Sequence, residues 1–365
     1  MPSPQHFDLA VIGGGPAGTS AAITAARTGA HVVLFEAKEF PRHKVCGEFI
    51  SAESLDILSN LLGDFSGGQR LLDAPPVIAR TRLFLGSRMI ESPVRPEAVS
   101  IARYELDAAL WRAAQQAGID ARANSEVSSV GGKGPFTIAS SSGACTAKTV
   151  ILTAGRWSQF TSDRVVPPGP KWIGVKAHFR EVAPYLSSDL YFFDNGYCGV
   201  QPVAADTVNA CAMVRSDRAT GLAEVFALHP KLAERAAKWT PLMQTVSTAP
   251  LIYRRPQPTR GHMLFAGDAA AFIDPFVGDG ISIALRSGRA AAECLRRYLS
   301  GEMPLSDCVL RYEQVYAQQF APLLSAASKV RSLLSLPVAA RAVAFEFLRL
   351  PGVMPLVIRK TRRAS

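Results

Sequence analysis

The sequence contains few cysteines, and their spacing fits neither a disulfide framework nor a metal site. Six cysteines are spread over 365 residues, and no two of them are separated by only two residues. Because zinc sites and small disulfide-rich folds use closely spaced cysteines, both classes are excluded. We therefore predict no metal site and a reducing compartment, the cytoplasm.

Long apolar stretches and leader features are also lacking. No run of uncharged apolar residues reaches the roughly 18 residues that are needed to cross a bilayer. The first residues, Met1–His6, contain no basic patch followed by an apolar segment, which predicts no secretory signal. Hydrophobic residues make up 48% and charged residues 19% of the chain, so there is ample material for a packed core and wholesale disorder is excluded.

Acidic residues are outnumbered by basic ones. Forty Lys and Arg against thirty Asp and Glu give a formal net charge of +10. The excess is spread along the chain, with one local cluster at 359–363, and no basic stretch is interleaved with aromatic residues. This pattern argues against a nucleic-acid partner. It leaves an anionic ligand or an anionic membrane surface as the partners that the charge favours.

Residues 7–35 carry the pattern of a strand–turn–helix–strand unit. Phe7–Ile12 is a short apolar run, Thr19–Thr28 is an alanine-rich helical segment, and Ala30–Phe35 is a second apolar run. Since a helical crossover joins the two predicted strands, they are expected to lie parallel and adjacent in one sheet.

The turn inside this unit matches a dinucleotide-binding fingerprint. Gly13 permits the tight turn, Gly15 lets a pyrophosphate approach the backbone, and Gly18 allows the helix to pack closely on the strand. Pro16 lies in the first helical turn, where its missing amide costs little. Glu36 ends the second strand, where a carboxylate can accept hydrogen bonds from ribose hydroxyls. The full context predicts that a dinucleotide is bound here.

A second glycine-rich segment indicates which dinucleotide is bound. The strand pattern Met263–Ala266 runs directly into Gly267-Asp268, and a proline and two further glycines follow at 275, 278 and 280. In this order, the two segments resemble the FAD-dependent oxidoreductases of the geranylgeranyl reductase family, a branch of the aromatic-hydroxylase and halogenase-like flavoprotein superfamily. The resemblance implies a non-covalent FAD whose ribityl chain is bound by Asp268. A helix amino terminus near the pyrimidine edge would stabilise the reduced flavin.

Other stretches extend the resemblance over most of residues 7–297. The segment Phe40–Glu48 is similar to the one in which a Cys-Gly pair lies beside the flavin, and Arg103 begins a matching Arg-x-x-Leu-Asp-x-x-Leu helix. By the same resemblance, Val127 meets the adenine. The implied cofactor-binding residues are Gly13, Gly15, Pro16, Ala17, Gly18, Glu36, Lys44, Cys46, Arg103, Val127, Gly267, Asp268, Pro275, Gly278, Gly280 and Ile281.

The implied fold is α/β with mixed α+β character. It comprises a Rossmann-like FAD-binding domain interleaved with a sheet-rich substrate domain, followed by carboxyl-terminal helices. The weakly alternating residues 80–93 predict a hairpin around Gly86-Ser87, and 172–214 is strand-like throughout. The predicted domains are 1–75, 100–165 and 260–300 for FAD, 76–99 and 166–259 for substrate, and 301–365 for the helical region.

The substrate region is predicted from an aromatic, glycine-rich strand. Residues 191–202 are similar to the strand that faces the flavin in geranylgeranyl reductases, and Tyr191, Phe193 and Tyr197 are the candidate substrate contacts. Aromatic walls suit a large apolar substrate of isoprenoid or polyketide type, as in secondary metabolism. Either tyrosine has a hydroxyl that can donate a proton, but spacing does not choose between them, so the catalytic residues stay unassigned. The segment Leu333–Ile358 is read as a packed helix, as a lid over this cavity or as a peripheral membrane contact.

Several functions remain open at this point. The first is a reductase or dehydrogenase that transfers hydride through FAD, and the second is a flavin-dependent monooxygenase. A halogenase ranks lower because the Trp-x-Trp-x-Ile-Pro motif is absent, and a non-enzymatic electron carrier is the last alternative. Because no second glycine fingerprint follows a strand, electrons must come from transiently bound NAD(P)H or from a separate reductase or ferredoxin. The sequence does not determine the oligomeric state.

Overall fold

The computed structural model describes residues 5–63, 66–156, 160, 168–273, 278–334, 338–349 and 352–354. Within these residues the chain forms two β-sheets with helices packed around them. The α-helices are α1 (Pro16–Ala26), α2 (Leu55–Leu62), α3 (Ser66–Asp73), α4 (Arg103–Gln116), α5 (Leu222–Ala227), α6 (Pro230–Ala236), α7 (Gly280–Leu299), α8 (Leu305–Gln319), α9 (Ala321–Leu334) and α10 (Val338–Leu348).

The first sheet is built on a parallel core. Its strands are β1 (Gln5–Ile12), β2 (Val32–Phe35), β6 (Asp120–Arg122), β7 (Val127–Gly132), β8 (Phe136–Ser140), β9 (Gly143–Leu152), β16 (Thr259–Arg260) and β17 (Met263–Phe265). The order is β16–β17–β9–β1–β2–β6, and β8 pairs with both β9 and β7. Strand β1 is parallel to β2 on one side and to β9 on the other. The carboxyl ends of the parallel strands therefore meet at one edge, where ligands bind in open α/β sheets.

The second sheet is largely antiparallel. Its strands are β3 (Phe49–Ile50), β4 (Val77–Leu85), β5 (Arg88–Ser100), β10 (Trp172–Arg180), β11 (Ser187–Phe193), β12 (Gly196–Ala204), β13 (Thr207–Arg215), β14 (Thr240–Pro241) and β15 (Val246–Thr248). The order is β14–β10–β13–β12–β11–β4–β5–β3, with β15 also paired to β10. This sheet draws its strands from three separate stretches of the chain, so the two sheets interleave along the sequence.

The predicted elements around the glycine turn are confirmed. Strands β1 and β2 form the parallel pair, with Leu9 opposite Val32. Helix α1 begins at Pro16, three residues before the predicted start, because Gly15 takes the N-cap position and the proline occupies the first turn. The predicted hairpin around Gly86 is formed by β4 and β5.

The region after residue 226 contains short strands as well as helices. Besides β17, three short strands occur there: β14 and β15, which pair with β10, and β16, which pairs with β17. Strands of two or three residues carry no usable periodicity in a sequence. They form here because partner strands supply their hydrogen bonds.

The hydrophobic core of the first sheet includes helix α1. Helix α1 packs against β1 and against the long helix α7, and almost every residue of α1 is buried. Because the helix is buried on nearly all sides, its sequence is alanine-rich rather than amphipathic. Among the described residues, no helix is both long enough and apolar enough to cross a membrane.

Candidate active site

The glycine turn leaves the start of helix α1 open to a ligand. Among the described residues no side chain caps the helix at Gly15, and Gly15, Pro16 and Ala17 line a large cavity. Of the same residues, a Cβ built on Gly15 would meet only Lys44, whose Nζ lies at 3.7 Å. Exposed amides at a helix start form an anion site, so the turn has both the space and the donors for a pyrophosphate.

Gly18 has a different role, because it lies behind the cavity wall. A Cβ at this position would lie 1.8 Å from the Gly13 carbonyl oxygen and 2.7 Å from Thr153 Oγ1. No side chain fits there, so helix α1 approaches β1 closely only because residue 18 is glycine. This close approach is what aims the amino terminus of the helix into the cavity.

Glu36 is held at the end of β2 with its carboxylate at the cavity wall. It is buried, and its oxygens accept hydrogen bonds from the backbone amides of Gly14 and Lys38, both at 3.0 Å. The Arg42 guanidinium donates to it at 2.7 Å. The carboxylate is thereby fixed where a ribose is expected.

A buried charge cluster lies next to the turn. Arg103 donates two hydrogen bonds to Asp107, at 2.7 and 2.8 Å, and Lys44 Nζ lies 3.5 Å from the same carboxylate. Burial alone would raise the pKa of Asp107, but Arg103 and Lys44 together lower it below its ordinary value. Burial lowers the pKa of Lys44 despite Asp107. Two cations therefore share one carboxylate, which leaves positive charge for a bound phosphate.

Asp268 lies at the carboxyl end of β17, in a 3₁₀ turn formed by Gly267–Ala269. The Gly267 amide donates to Ser287 Oγ of helix α7 at 2.9 Å, which fixes the turn against the core. Burial raises the pKa of Asp268, and the positive charges of Arg156, Arg103 and Lys44 oppose that rise.

One cavity of about 790 Å³ joins these elements. It runs between the carboxyl edge of the first sheet and the face of the second sheet. The predicted cofactor residues that line it are Gly13, Gly15, Pro16, Ala17, Glu36, Lys44, Cys46, Arg103, Val127, Gly267, Asp268, Gly278, Gly280 and Ile281. Gly18 lies behind the wall, and Pro275 lies outside the described residues.

The other end of the cavity is apolar. Tyr197, Met213, Leu251 and Phe272 line it. Tyr197, Met213 and Leu251 belong to a buried hydrophobic cluster that packs against Phe272. This cluster is separate from the hydrophobic core around the first sheet. An apolar wall of this kind next to a polar groove is typical of a site for an apolar ligand.

Tyr191 and Phe193 are placed away from this wall. In the hairpin register Phe192 pairs with Tyr197, so these two share one face of the sheet and residues 191 and 193 point to the other. Tyr191 stacks on Phe84 at 4.5 Å and contacts an Arg235 nitrogen through its hydroxyl at 3.1 Å. Of the three aromatic residues predicted to meet the substrate, Tyr197 alone lines the cavity.

Arg156 also lines the cavity, and sequence reasoning missed it. It follows β9, donates to Thr248 Oγ1 at 2.9 Å, and lies with its guanidinium 4.4 Å from the centre of the Phe272 ring. Burial lowers the pKa of Arg156, and Asp268 opposes this. A cation thus lies where the cofactor end meets the apolar end.

A second missed group ties the segment 42–48 to strands β10 and β13 of the second sheet. Glu48, which is fully buried, binds Lys176 through one carboxylate oxygen and His178 Nε2 through the other, the latter at 2.8 Å. Asn209 adds a hydrogen bond to the Cys46 carbonyl oxygen at 2.9 Å. This buried network holds the cavity-lining segment against the second sheet.

Comparison with known proteins agrees with this geometry. A family model described as FAD dependent oxidoreductase matches residues 8–41, the span that holds the glycine turn and Glu36. Digeranylgeranylglycerophospholipid reductase 1 of Methanopyrus kandleri is 25% identical over 90% of this chain and 91% of its own. The chain is an FAD-dependent oxidoreductase.

Further relatives of this oxidoreductase have other names. Conditioned medium factor receptor 1 of Dictyostelium discoideum is 25% identical over 86% of this chain and 68% of its own. The structure of the flavin-dependent brominase Bmp2 superposes with a TM-score of 0.81 at 19% identity, and covers 98% of this chain and 93% of that one. This structural likeness shows a shared fold.

FAD fits the residues of the oxidoreductase that surround the cavity. The open amides of α1 and the cations Lys44 and Arg103 suit its pyrophosphate, the fixed carboxylate of Glu36 suits its adenosine ribose, and Asp268 suits its ribityl hydroxyls. When bound, FAD supplies two-electron redox chemistry, while the protein binds it, orients it and controls access to it.

We expect Asp268→Ala to weaken FAD binding by about ten- to a hundredfold. A hydrogen bond to a charged group contributes roughly 1.5–3 kcal/mol, which corresponds to that range of affinity. Titration of the apoprotein with FAD, followed by flavin fluorescence, measures the change. The matched control is Asp217→Ala, an exposed aspartate outside the cavity lining, which should leave the affinity unchanged. Equal FAD affinities in the Asp268→Ala and Asp217→Ala variants would show that Asp268 does not contact the cofactor.

Proposed function

We propose that this oxidoreductase reduces a large apolar substrate of isoprenoid or polyketide type by hydride transfer through FAD. The observation that carries the proposal is the continuity of the cavity. The residues suited to FAD and the apolar wall of Tyr197, Met213, Leu251 and Phe272 line one and the same space. A substrate on that wall would lie next to the cofactor, with no protein layer between them.

The curated relatives support the choice of a reductase. Alignment with the digeranylgeranylglycerophospholipid reductase extends over nine-tenths of both chains. That relative, by its name, reduces a lipid with isoprenoid chains. An apolar wall such as the one in this cavity is what an isoprenoid chain requires.

Tyr197 is our candidate for the proton donor in this reaction. Of the two tyrosines considered from the sequence, Tyr191 lies on the opposite face of the sheet and contacts Arg235 through its hydroxyl. Tyr197 is buried and lines the cavity beside Met213. A phenol in that position can protonate the carbon next to the one that receives hydride.

The carboxyl-terminal segment packs against the hydrophobic cluster that forms the apolar end of the cavity. Phe345 and Met354 are buried in the same hydrophobic cluster as Tyr197 and Leu251, and Arg341 donates to the Phe193 carbonyl oxygen at 3.1 Å. This supports the lid that the sequence offered for residues 333–358, of which 335–337, 350–351 and 355–358 lie outside the described residues.

The outer face of α10 supports a peripheral membrane contact as well. Val343 and Phe347, one turn apart, are 72% and 61% exposed, and Arg349, which is paired with Glu346 at 3.1 Å, is exposed just beyond them. Exposed apolar residues flanked by a cation are typical of helices that lie on an anionic membrane surface. We propose that a lipid substrate reaches the lid from such a surface.

An oxygen-dependent reaction is the second candidate. The fold likeness to a flavin-dependent brominase favours it, since halogenation and hydroxylation both use reduced flavin and oxygen. We propose a transiently bound NAD(P)H or a separate reductase or ferredoxin as the electron donor for either reaction. A non-enzymatic electron carrier is the least favoured, because the cavity has an apolar wall beyond the residues suited to FAD, and a carrier has no substrate for that wall to bind.

We expect the photoreduced, FAD-loaded enzyme to be reoxidised anaerobically by an isoprenoid alkene or a quinone-like enone. The substrate is presented in anionic vesicles and, in parallel, in neutral detergent, and the return of the oxidised flavin absorbance is followed by stopped flow. Reoxidation without oxygen, with one reduced product per flavin, supports the reductase. Reoxidation and product formation only when oxygen is added would contradict it and would favour the second candidate. Omission of substrate is the control.

A further inference from the structure

A second, smaller cavity lies beside Asp268. It has a volume of about 50 Å³, sufficient for one phosphate-sized group, and it shares Arg156, Asp268 and Phe272 with the main cavity. It therefore lies beside the place where the cofactor end of the main cavity meets its apolar end, with Arg156, Asp268 and Phe272 in the wall of both cavities.

The charge on the wall of this small cavity is strongly one-sided. Among the described residues that line it, three are arginines, Arg156, Arg254 and Arg255, and one is a carboxylate, Asp268. Gln257 adds an amide donor, and the rest of the lining is Pro, Ile, Phe and Ala. Arginine is the residue that best matches phosphate and carboxylate, because its planar fork presents several donors to paired oxygens.

The arginines differ in their exposure, and the difference is informative. Arg254 and Arg255 are exposed and form the rim of the small cavity, whereas Arg156 is less exposed and is fixed by Thr248 and the Phe272 ring. Arg156 is partly buried, and this burial lowers the pKa of its guanidinium. A partly buried cation at the base of a basic rim attracts an anion more strongly than an exposed arginine does.

We infer that this small cavity, the arginine pocket, binds a phosphate or carboxylate group of the molecule that exchanges electrons with the flavin. The inference rests on the proposed function, because it assumes that the main cavity holds FAD. The anionic group can belong to the substrate, as in a prenyl phosphate, a phospholipid or an apolar acid. It can also belong to the electron donor, as in a phosphorylated pyridine nucleotide. Both sources share the chemistry that the three arginines recognise.

The first test is the binding of inorganic phosphate to the FAD-loaded protein at constant ionic strength, measured by calorimetry. Saturable 1:1 binding is expected, and the double variant R254Q/R255Q should weaken it at least tenfold, since two charge-assisted contacts are lost. Both side chains are exposed, so folding should be preserved. The matched control is Arg218→Gln, an exposed arginine outside both cavity linings, which should bind phosphate as the parent does.

The other arms identify the source of the anion. If the anionic group belongs to the electron donor, inorganic phosphate should inhibit flavin reduction by NADPH competitively. The double variant should then need at least tenfold more NADPH to reach the same rate of flavin reduction. If the anionic group belongs to the substrate, inorganic phosphate should instead compete with the substrate in the anaerobic reoxidation. No phosphate binding, or equal binding in the double variant and the control, overturns the inference and leaves the proposed reduction intact. A weaker FAD affinity in the double variant also overturns it, because the pocket would then belong to the cofactor.

Discussion

Gly18→Ala is expected to abolish FAD binding and to destabilise the fold by at least about 3 kcal/mol, the upper range for forcing extra atoms into a packed site. The new Cβ would lie 1.8 Å from the Gly13 carbonyl oxygen, a distance that no side-chain rotation relieves because both atoms belong to the backbone framework. Helix α1 must move away from β1, and its amino-terminal amides then leave the phosphate site.

Two measurements check this expectation. Urea denaturation of the apoprotein reports the loss of stability, and flavin fluorescence titration reports the loss of affinity, which should exceed a hundredfold. The control is Gly131→Ala, an exposed strand glycine with negative φ around which nothing lies within 4 Å of a new Cβ, and this variant should behave as the parent does. Gly18→Ala with parental stability and affinity would contradict the close packing.

Glu48→Ala is expected to destabilise the protein by about 3–5 kcal/mol, the cost of leaving a buried charge without its partner. The carboxylate is fully buried between Lys176 and His178, and Lys176 is itself 0% exposed, so the substitution leaves a buried ammonium without its carboxylate. Because the segment 42–48 lines the cavity, FAD affinity should fall as well. Asp206→Ala, which removes an exposed carboxylate 3.5 Å from Arg180, is the control and should cost less than about 1 kcal/mol.

The same carboxylate predicts a pH dependence. Burial alone would raise the pKa of Glu48, but His178 and Lys176 lower it below the ordinary glutamate value. The unfolded chain then binds more protons than the folded one in acid. The stability that Glu48 contributes is therefore complete above its ordinary pKa, about 4.3, and is lost as the pH falls toward the lowered value. Urea midpoints measured from pH 6 to pH 3 should show this acid loss in the parent and a smaller one in Glu48→Ala. If the parent and Glu48→Ala lost the same stability between pH 6 and pH 3, groups other than Glu48 would be responsible for the acid sensitivity.

The cofactor half of the site could be predicted from the sequence because its signals are local. Gly13, Gly15 and Gly18 act through one turn, and Glu36 follows it by the length of one helix and one strand. Asp268 comes directly after an apolar strand. Each prediction required only that a short segment adopt its own preferred conformation, and parallel strands then bring their carboxyl ends together.

The substrate half could not be predicted in the same way. Tyr191 and Tyr197 are six residues apart on either side of a hairpin turn, and only the pairing of Phe192 with Tyr197 decides which of them faces the cavity. A shift of one residue in that register would exchange the two faces. Sequence periodicity shows that the faces alternate but not which one a second domain covers.

The sequence by itself determined the fold class, the parallel unit around the glycine turn and the dinucleotide chemistry, because these depend on residues within reach of one another along the chain. The tertiary structure alone decided the rest. It brought Glu48 to Lys176 across 128 positions, placed Arg156 between the two ends of the cavity, and turned Tyr191 away from it. The physical reason is that a buried charge or a wall residue acquires its role from the partners that packing supplies, and those partners leave no local pattern in the sequence.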